Sequence, residues 1–145
     1  MKVGIKKLHP NAVVPKYAKT GDAGLDLTAI SKSFDDAGNV VYGIGLAVEI
    51  PAGYVGLIFP RSSNAKTDLY LTNHVGVIDS GYRGELMFKF RISDSAKNFQ
   101  DARLYEVGDR VGQLIIIPYP SIEFEEVEEL SDSERGAGGF GSSGK

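Results

Sequence analysis

The chain contains no cysteine and no tryptophan. Without cysteine there are no disulfides and no thiolate metal sites, which fits a reducing, intracellular and hence cytoplasmic setting. An excess of positive charge is also lacking: 16 Lys and Arg stand against 19 Asp and Glu, a net charge of −3. Neither nucleic acid nor an anionic membrane is therefore expected as a partner, and any phosphate must be met by local donors. Long hydrophobic runs are missing too. Met1-Lys2 is not followed by the apolar run of a signal peptide, and no stretch is long enough to cross a bilayer. Helical patterning is scarce, with one short helix expected after Pro60, started by a serine cap.

What remains is β-type patterning. A chain of 145 residues with 42% hydrophobic content suits one compact domain with a core, and 18 glycines with 6 prolines imply many turns. Val3 to Leu8 reads as a first strand, and Leu25 to Ile30 alternates apolar and polar residues. Residues 31–40 read as a hydrophilic loop. Leu46, Val48 and Ile50 alternate toward the Pro51-Ala52-Gly53 turn, and Tyr54 to Phe59 forms a strand that stops at Pro60. Leu86, Phe88, Phe90 and Ile92 mark one face of a strand whose other face is charged apart from Met87. Val111 to Ile117 is apolar on both faces, as in a central strand, with Gln113 as an amide that needs partners. Ile122 and Phe124 open a last strand that fades into acidic residues. Roughly ten short runs separated by turns imply a sandwich, jelly roll or barrel.

One stretch carries chemistry. Gly76-Val77-Ile78-Asp79-Ser80-Gly81-Tyr82 ends an apolar run on an acid, then turns past a ring. Flanking strand runs predict a β-hairpin with Asp79 near its bend. A carboxylate at a turn beside an aromatic ring suits general-base work on a small flat ligand; taken alone, the stretch better suits a surface hairpin whose acid merely caps its own turn. The glycine-rich tail from Arg135 reads either as a linker or as a segment that orders around a phosphate ligand, with Phe140 as a stacking face.

Five segments, taken in order, resemble the trimeric dUTPase family (deoxyuridine triphosphate nucleotidohydrolases). They are Ala23-Gly24-Leu25-Asp26-Leu27, Pro60-Arg61-Ser62-Ser63, Gly76 to Glu85, Gly108-Asp109-Arg110-Val111-Gly112-Gln113, and Arg135 to Gly144. The resemblance implies an all-β, jelly-roll-like distorted barrel over residues 1–126, with one short helix. An extended C-terminal arm, residues 127–145, would close the active site of a neighbouring subunit in a homotrimer. The implied reaction is hydrolysis of dUTP to dUMP and pyrophosphate with Mg²⁺, which supplies dUMP for dTMP synthesis and keeps uracil out of DNA.

Carried over by motif, Asp79 is the implied general base, activating a water for in-line attack on the α-phosphorus. Tyr82 would pack on deoxyribose, and Asn73 with the backbone of Gly76, Val77 and Ile78 would read uracil. Met87 would line the same pocket. Arg61, Ser62, Ser63 and Gln113 would hold the triphosphate. From the arm, Arg135 would grip the terminal phosphate, Phe140 would stack on uracil, and Gly141 and Ser142 would donate to phosphates. Asp26 would reach Mg²⁺ through water, its alternative being a structural acid bonded to a neighbouring strand or an Arg. His9 and His74 match no motif role.

Ser63 stands where the family commonly has glycine, and Ser143 where it commonly has threonine. The related dCTP deaminase also carries an Arg-Ser-Ser run but needs a glutamate ten residues beyond the hairpin aspartate, where this chain has Lys89. It also typically has tryptophan where Tyr82 stands. A non-catalytic regulator on the same scaffold would have lost the base or the arm, yet Asp79, Arg135 and Phe140 are present.

Overall fold

The computed structural model describes residues 1–93 and 99–139. Among these, ten strands account for nearly all regular structure: β1 (Gly4–Lys7), β2 (Leu25–Thr28), β3 (Ser31–Phe34), β4 (Val40–Gly43), β5 (Leu46–Glu49), β6 (Tyr54–Phe59), β7 (Leu69–Leu71), β8 (Gly76–Ile78), β9 (Met87–Ile92) and β10 (Arg110–Pro118). They form two four-stranded antiparallel sheets, ordered β2-β10-β6-β8 and β3-β4-β9-β7, and a small ribbon of β1 with β5. This is the expected all-β, jelly-roll-like architecture. No helix among the described residues is long and apolar enough to cross a membrane.

The core lies between the two sheets. Leu27, Ile58, Val111 and Leu114 contribute from the first, and Val40, Tyr42, Phe88 and Phe90 from the second. The alternation in β9 behaves as its sequence dictates: Phe88 and Phe90 are buried, while Met87, Lys89 and Arg91 face out. β10 is central, flanked by β2 and β6, as a strand apolar on both faces should be. Tyr42 and Phe90 pack edge-to-face at 5.8 Å, and the Tyr42 hydroxyl donates to the Tyr105 carbonyl at 2.9 Å, which satisfies a phenol inside the core.

Four expectations need correction. The loop at 31–40 contains β3, a polar edge strand held by its ladder with β4 rather than by apolar burial. The short helix after Pro60 is a 3₁₀ turn, Ser62–Lys66; Arg61 occupies the cap position and no side chain caps it. The hairpin around Asp79 does not form, because β8 pairs with β6 while β9 pairs with β4 and β7. The turn joins two sheets. Finally, Ile122 and Phe124 belong to no strand: residues 119–139 carry none, and Phe124 is 91% exposed. Ile122, Val127 and Leu130 are exposed alongside it.

Candidate active site

Gly76 to Ile78 is a three-residue strand on the edge of the first sheet, registered Gly76 to Ile58 and Ile78 to Gly56. The Asp79 carbonyl then accepts the Tyr82 amide at 3.0 Å, which closes a tight turn and points the chain toward the second sheet. The Tyr82 ring lies over Gly84, where a β-carbon would be 2.9 Å from Cε2, and its hydroxyl donates to the Glu85 carbonyl at 2.9 Å. Arg83 Nη1 ties the same turn by donating to the Ser80 and Tyr82 carbonyls. The turn is therefore held by its own side chains.

A cleft of about 350 Å³ opens where the two sheets part around this turn. Asn73, Gly76, Val77, Ile78, Asp79, Tyr82 and Met87 all line it. These are the seven residues that the third motif and its surroundings implied for the nucleoside. Met87, the one apolar member of the outer face of β9, is 43% exposed on the cleft wall. Asp79 is exposed, and no described side chain pairs with its carboxylate. Next to Asn73, His74 takes a left-handed backbone (φ 60), uncommon for a non-glycine residue, so the loop that presents Asn73 is strained.

Sequence reasoning missed other walls of this cleft: Ile58, Thr72, Glu85 and Lys89. Glu85 Oε1 accepts the Gly45 amide at 2.7 Å, and Lys89 pairs with Asp35 at 3.2 Å. Both ties are long-range, so no local pattern announces them.

A second cleft of about 420 Å³ lies toward the other side of the first sheet. β10 brings Gln113 opposite Asp26 on one side and Phe59 on the other, and Arg61 follows β6 two residues later. Arg61 Nε donates to Asp26 Oδ1 at 2.7 Å, and Arg110 Nη1 to Asp26 Oδ2 at 2.9 Å. Gln113 Nε2 donates to the Pro60 carbonyl at 3.1 Å, which meets part of the amide's demand. Asp26, Arg61, Ser62 and Gln113 line this cleft with Arg110, a residue of the fourth motif not singled out beforehand. Ser63 does not line it; its Oγ instead accepts Arg61 Nη1 at 3.2 Å.

The two clefts share no lining residue. Arg135 lines neither; its Nε donates to the Gly138 carbonyl at 2.9 Å. Phe140, Gly141 and Ser142 lie outside the described residues.

Comparison with known proteins places the chain in a family. The family profile described as dUTPase matches residues 10–144. The deoxyuridine 5′-triphosphate nucleotidohydrolase of Nautilia profundicola is 44% identical over 147 aligned positions, covering 100% of both chains. That of Rhodococcus erythropolis is 42% identical over 146 positions, 99% of this chain and 87% of the relative. A Staphylococcus bacteriophage 80alpha dUTPase, solved with dUpNHpp, superposes with a TM-score of 0.84 at 32% identity, covering 99% of each chain. With a family match across nearly its whole length, the chain belongs to the dUTPase family of deoxyuridine 5′-triphosphate nucleotidohydrolases.

Proposed function

We propose that this dUTPase binds the deoxyuridine of dUTP in the Asp79–Tyr82 cleft and holds a water on the Asp79 carboxylate for in-line attack on the α-phosphorus. The observation that carries the reading is the meeting of seven nucleoside-site residues in one cleft with an unpaired carboxylate at its rim. As the water oxygen bonds to phosphorus, its proton passes to Asp79, the α–β bridging bond breaks, and pyrophosphate leaves dUMP behind. Tyr82, fixed by its hydroxyl and by Gly84, offers its ring face to deoxyribose and leaves no space for a 2′-hydroxyl. Asn73 and the backbone of Gly76–Ile78 pair with the uracil edge. Cytosine would present a donor where an acceptor is wanted, leaving a buried group unpaired at a cost of roughly 1–3 kcal/mol. Thymine's methyl group would meet the cleft wall.

Arg61, Ser62 and Gln113 bind the triphosphate in this reading, with Ser63 beside them. Two arginines and two aspartates (Asp22 and Asp26) line the phosphate cleft, so their charges cancel. A triphosphate there needs more positive charge. Arg135 is one source and Mg²⁺ the other. Among the described residues no set of three or more His, Cys, Asp or Glu could cage a metal, so the donor set fits a magnesium carried by phosphate oxygens. Asp26 would hold it by accepting a hydrogen bond from a bound water, through lone pairs left over from its two arginines. When bound, Mg²⁺ supplies charge neutralisation on the phosphates.

The separation of the two clefts supports a site completed between chains, in a homotrimer. The exposed apolar residues of 119–130 and the solvent-facing Arg135 support a barrel of residues 1–126 and an arm of 127–145 that closes a neighbour's site, with Phe140 on uracil and Gly141 and Ser142 on phosphates. In the cell the product would supply dTMP synthesis, and removal of dUTP would keep uracil out of DNA. A deaminase reading lacks its proton carrier: Lys89 is bound to Asp35, and the carboxylate of Glu85 is tied to Gly45.

The test is pyrophosphate release from dUTP, dCTP and dTTP side by side with Mg²⁺. Release from dUTP alone is expected. Equal release from dCTP would overturn the base-reading roles, and no release from dUTP would overturn the whole reading.

A further inference from the structure

Glu85 lines the nucleoside cleft and is half-buried, and its side chain reaches to the corner between β4 and β5. There Oε1 accepts the Gly45 amide at 2.7 Å. Gly45 is buried, so the carboxylate answers an amide that would otherwise be left unpaired away from water. A β-carbon at Gly43 would lie 2.8 Å from Glu85 Oε1, so the carboxylate rests against bare backbone. The next residue, Leu86, fastens to the same corner through its own backbone. Its amide donates to the Leu46 carbonyl at 2.8 Å, and its carbonyl accepts the Ile44 amide at 3.1 Å. The Glu85–Leu86 peptide therefore has both flanking residues tied to one corner, and its carbonyl accepts the Tyr82 hydroxyl at 2.9 Å. Tyr82 is 40% exposed and stands outside the hydrophobic core, so core packing does not hold its ring.

We propose that Glu85 is a positioning residue that sets sugar specificity: clamped on Gly45, it holds the peptide that anchors the Tyr82 hydroxyl, and so fixes the ring that excludes ribose. The inference rests on the reading of Tyr82 as the deoxyribose wall. A 2′-hydroxyl is a small addition, so excluding it requires a wall held to within about 0.5 Å. A ring free to swing on its own side chain would make room; one tied at its hydroxyl to a fixed carbonyl does not. That carbonyl is fixed only if its peptide cannot rock. The Leu86 amide gives it one tie, about which it could still turn, and the Glu85 side chain supplies a second on the residue before. What the clamp needs is an oxygen acceptor at the reach of Gly45, and the negative charge is not part of the requirement.

The experiment uses the full chain with Mg²⁺ and measures kcat/KM for dUTP and for UTP, its ribose counterpart. It compares wild type with Glu85→Gln, Glu85→Asp, Glu85→Ala, Tyr82→Phe and Tyr82→Leu. Glu85→Ala, and Glu85→Asp whose carboxylate stops short of Gly45, should narrow the preference for dUTP about 3- to 10-fold, with kcat/KM for UTP holding or rising. Tyr82→Phe keeps the ring and loses the tie to Glu85, and should narrow the preference to a similar extent. Combined with Glu85→Ala, it should do no more than the poorer single change. Glu85→Gln keeps an acceptor at the same reach and should retain the wild-type preference. Exchange of the Gly45 amide with solvent, followed by ¹⁵N NMR, should quicken in Glu85→Ala and Glu85→Asp and stay slow in Glu85→Gln. An equal fall for both substrates would show a merely structural role and overturn the proposal. So would a preference that survives in Glu85→Asp or in Tyr82→Phe. Tyr82→Leu removes the ring and should lose most of the preference; if it does not, the sugar role of Tyr82 falls, and the role of Glu85 with it.

Discussion

Gly76 lies so close to Ile58 that a β-carbon at position 76 would overlap Ile58 Cγ1 and sit 2.7 Å from its Cδ1. The backbone of β8, to which we assign base reading, is thus seated directly on a buried side chain of β6, its one sheet neighbour among the described residues. Gly76→Ala should push β8 outward, costing about 1–3 kcal/mol in overpacking and raising KM for dUTP. Shortening the partner, as Gly76→Ala/Ile58→Ala, should recover part of the KM defect. No recovery would mean that the glycine matters for a reason other than this contact.

Asp79→Asn keeps the turn, because the turn is closed by the backbone carbonyl of residue 79 and not by its side chain. Turnover should fall about 10²–10⁴-fold, the usual scale for losing a general base, while dUpNHpp still binds. Stopped-flow pyrophosphate release and calorimetric titration separate the two outcomes. Full turnover in the variant would remove Asp79 from the chemistry.

Deletion of residues 135–145 should cost little stability, within about 0.5 kcal/mol, because Arg135 to Ala137 are exposed and 119–139 adds no strand to either sheet. Turnover should nevertheless collapse by on the order of 10²-fold or more if the arm orients the triphosphate. Urea denaturation beside activity measures both. An unchanged rate would exclude the arm from catalysis.

Asp68 gives the fold an acid limb. Arg103 donates to it from Nη2 at 2.8 Å, from Nε at 3.1 Å and from its backbone amide at 2.7 Å. These side-chain bonds first, and the backbone bond second, hold its carboxyl at about 2 against an ordinary 3.8. The folded value is the lower one, so the unfolded chain binds more protons in this window. The stabilisation is full above about 3.8 and is lost as pH falls toward 2. Asp35, bonded chiefly by Asn39 and then by Lys89, behaves alike. Thermal midpoints from pH 5 to 2 should fall less steeply in Asp68→Asn than in wild type. Parallel curves would show that the pair contributes nothing to acid sensitivity.

The parts of the fold that could be read from the chain are those in which local patterning and burial agree. Tyr54 to Phe59, bracketed by Pro51-Ala52-Gly53 and Pro60, is β6 to the residue, and the alternation from Leu86 to Ile92 predicts the inner face of β9. What was missed depends on partners distant in sequence. Ser31–Phe34 has no apolar periodicity, and β4 makes it a strand. The turn at Asp79 announces a bend but not that its two arms join different sheets. Ile122 and Phe124 alternate like a strand and find no partner within the described chain. At the site, the residues that motif spacing implied for the nucleoside all line one cleft. The grip of Arg61 and Arg110 on Asp26 spans 35 and 84 positions and leaves no trace in spacing.

β6 borders both clefts: Ile58 forms a wall of one, Phe59 registers against Gln113 of the other, and Arg61 follows two residues after the strand ends. With the roles proposed for the two clefts, six residues frame base choice and phosphate grip at once. A change in β6 should therefore disturb both properties together, whereas of these two clefts Met87 lines only the first and Arg110 only the second. A library randomised across Tyr54–Phe59 should yield variants in which substrate preference and affinity drift together, whereas one randomised at Met87 should let them drift apart.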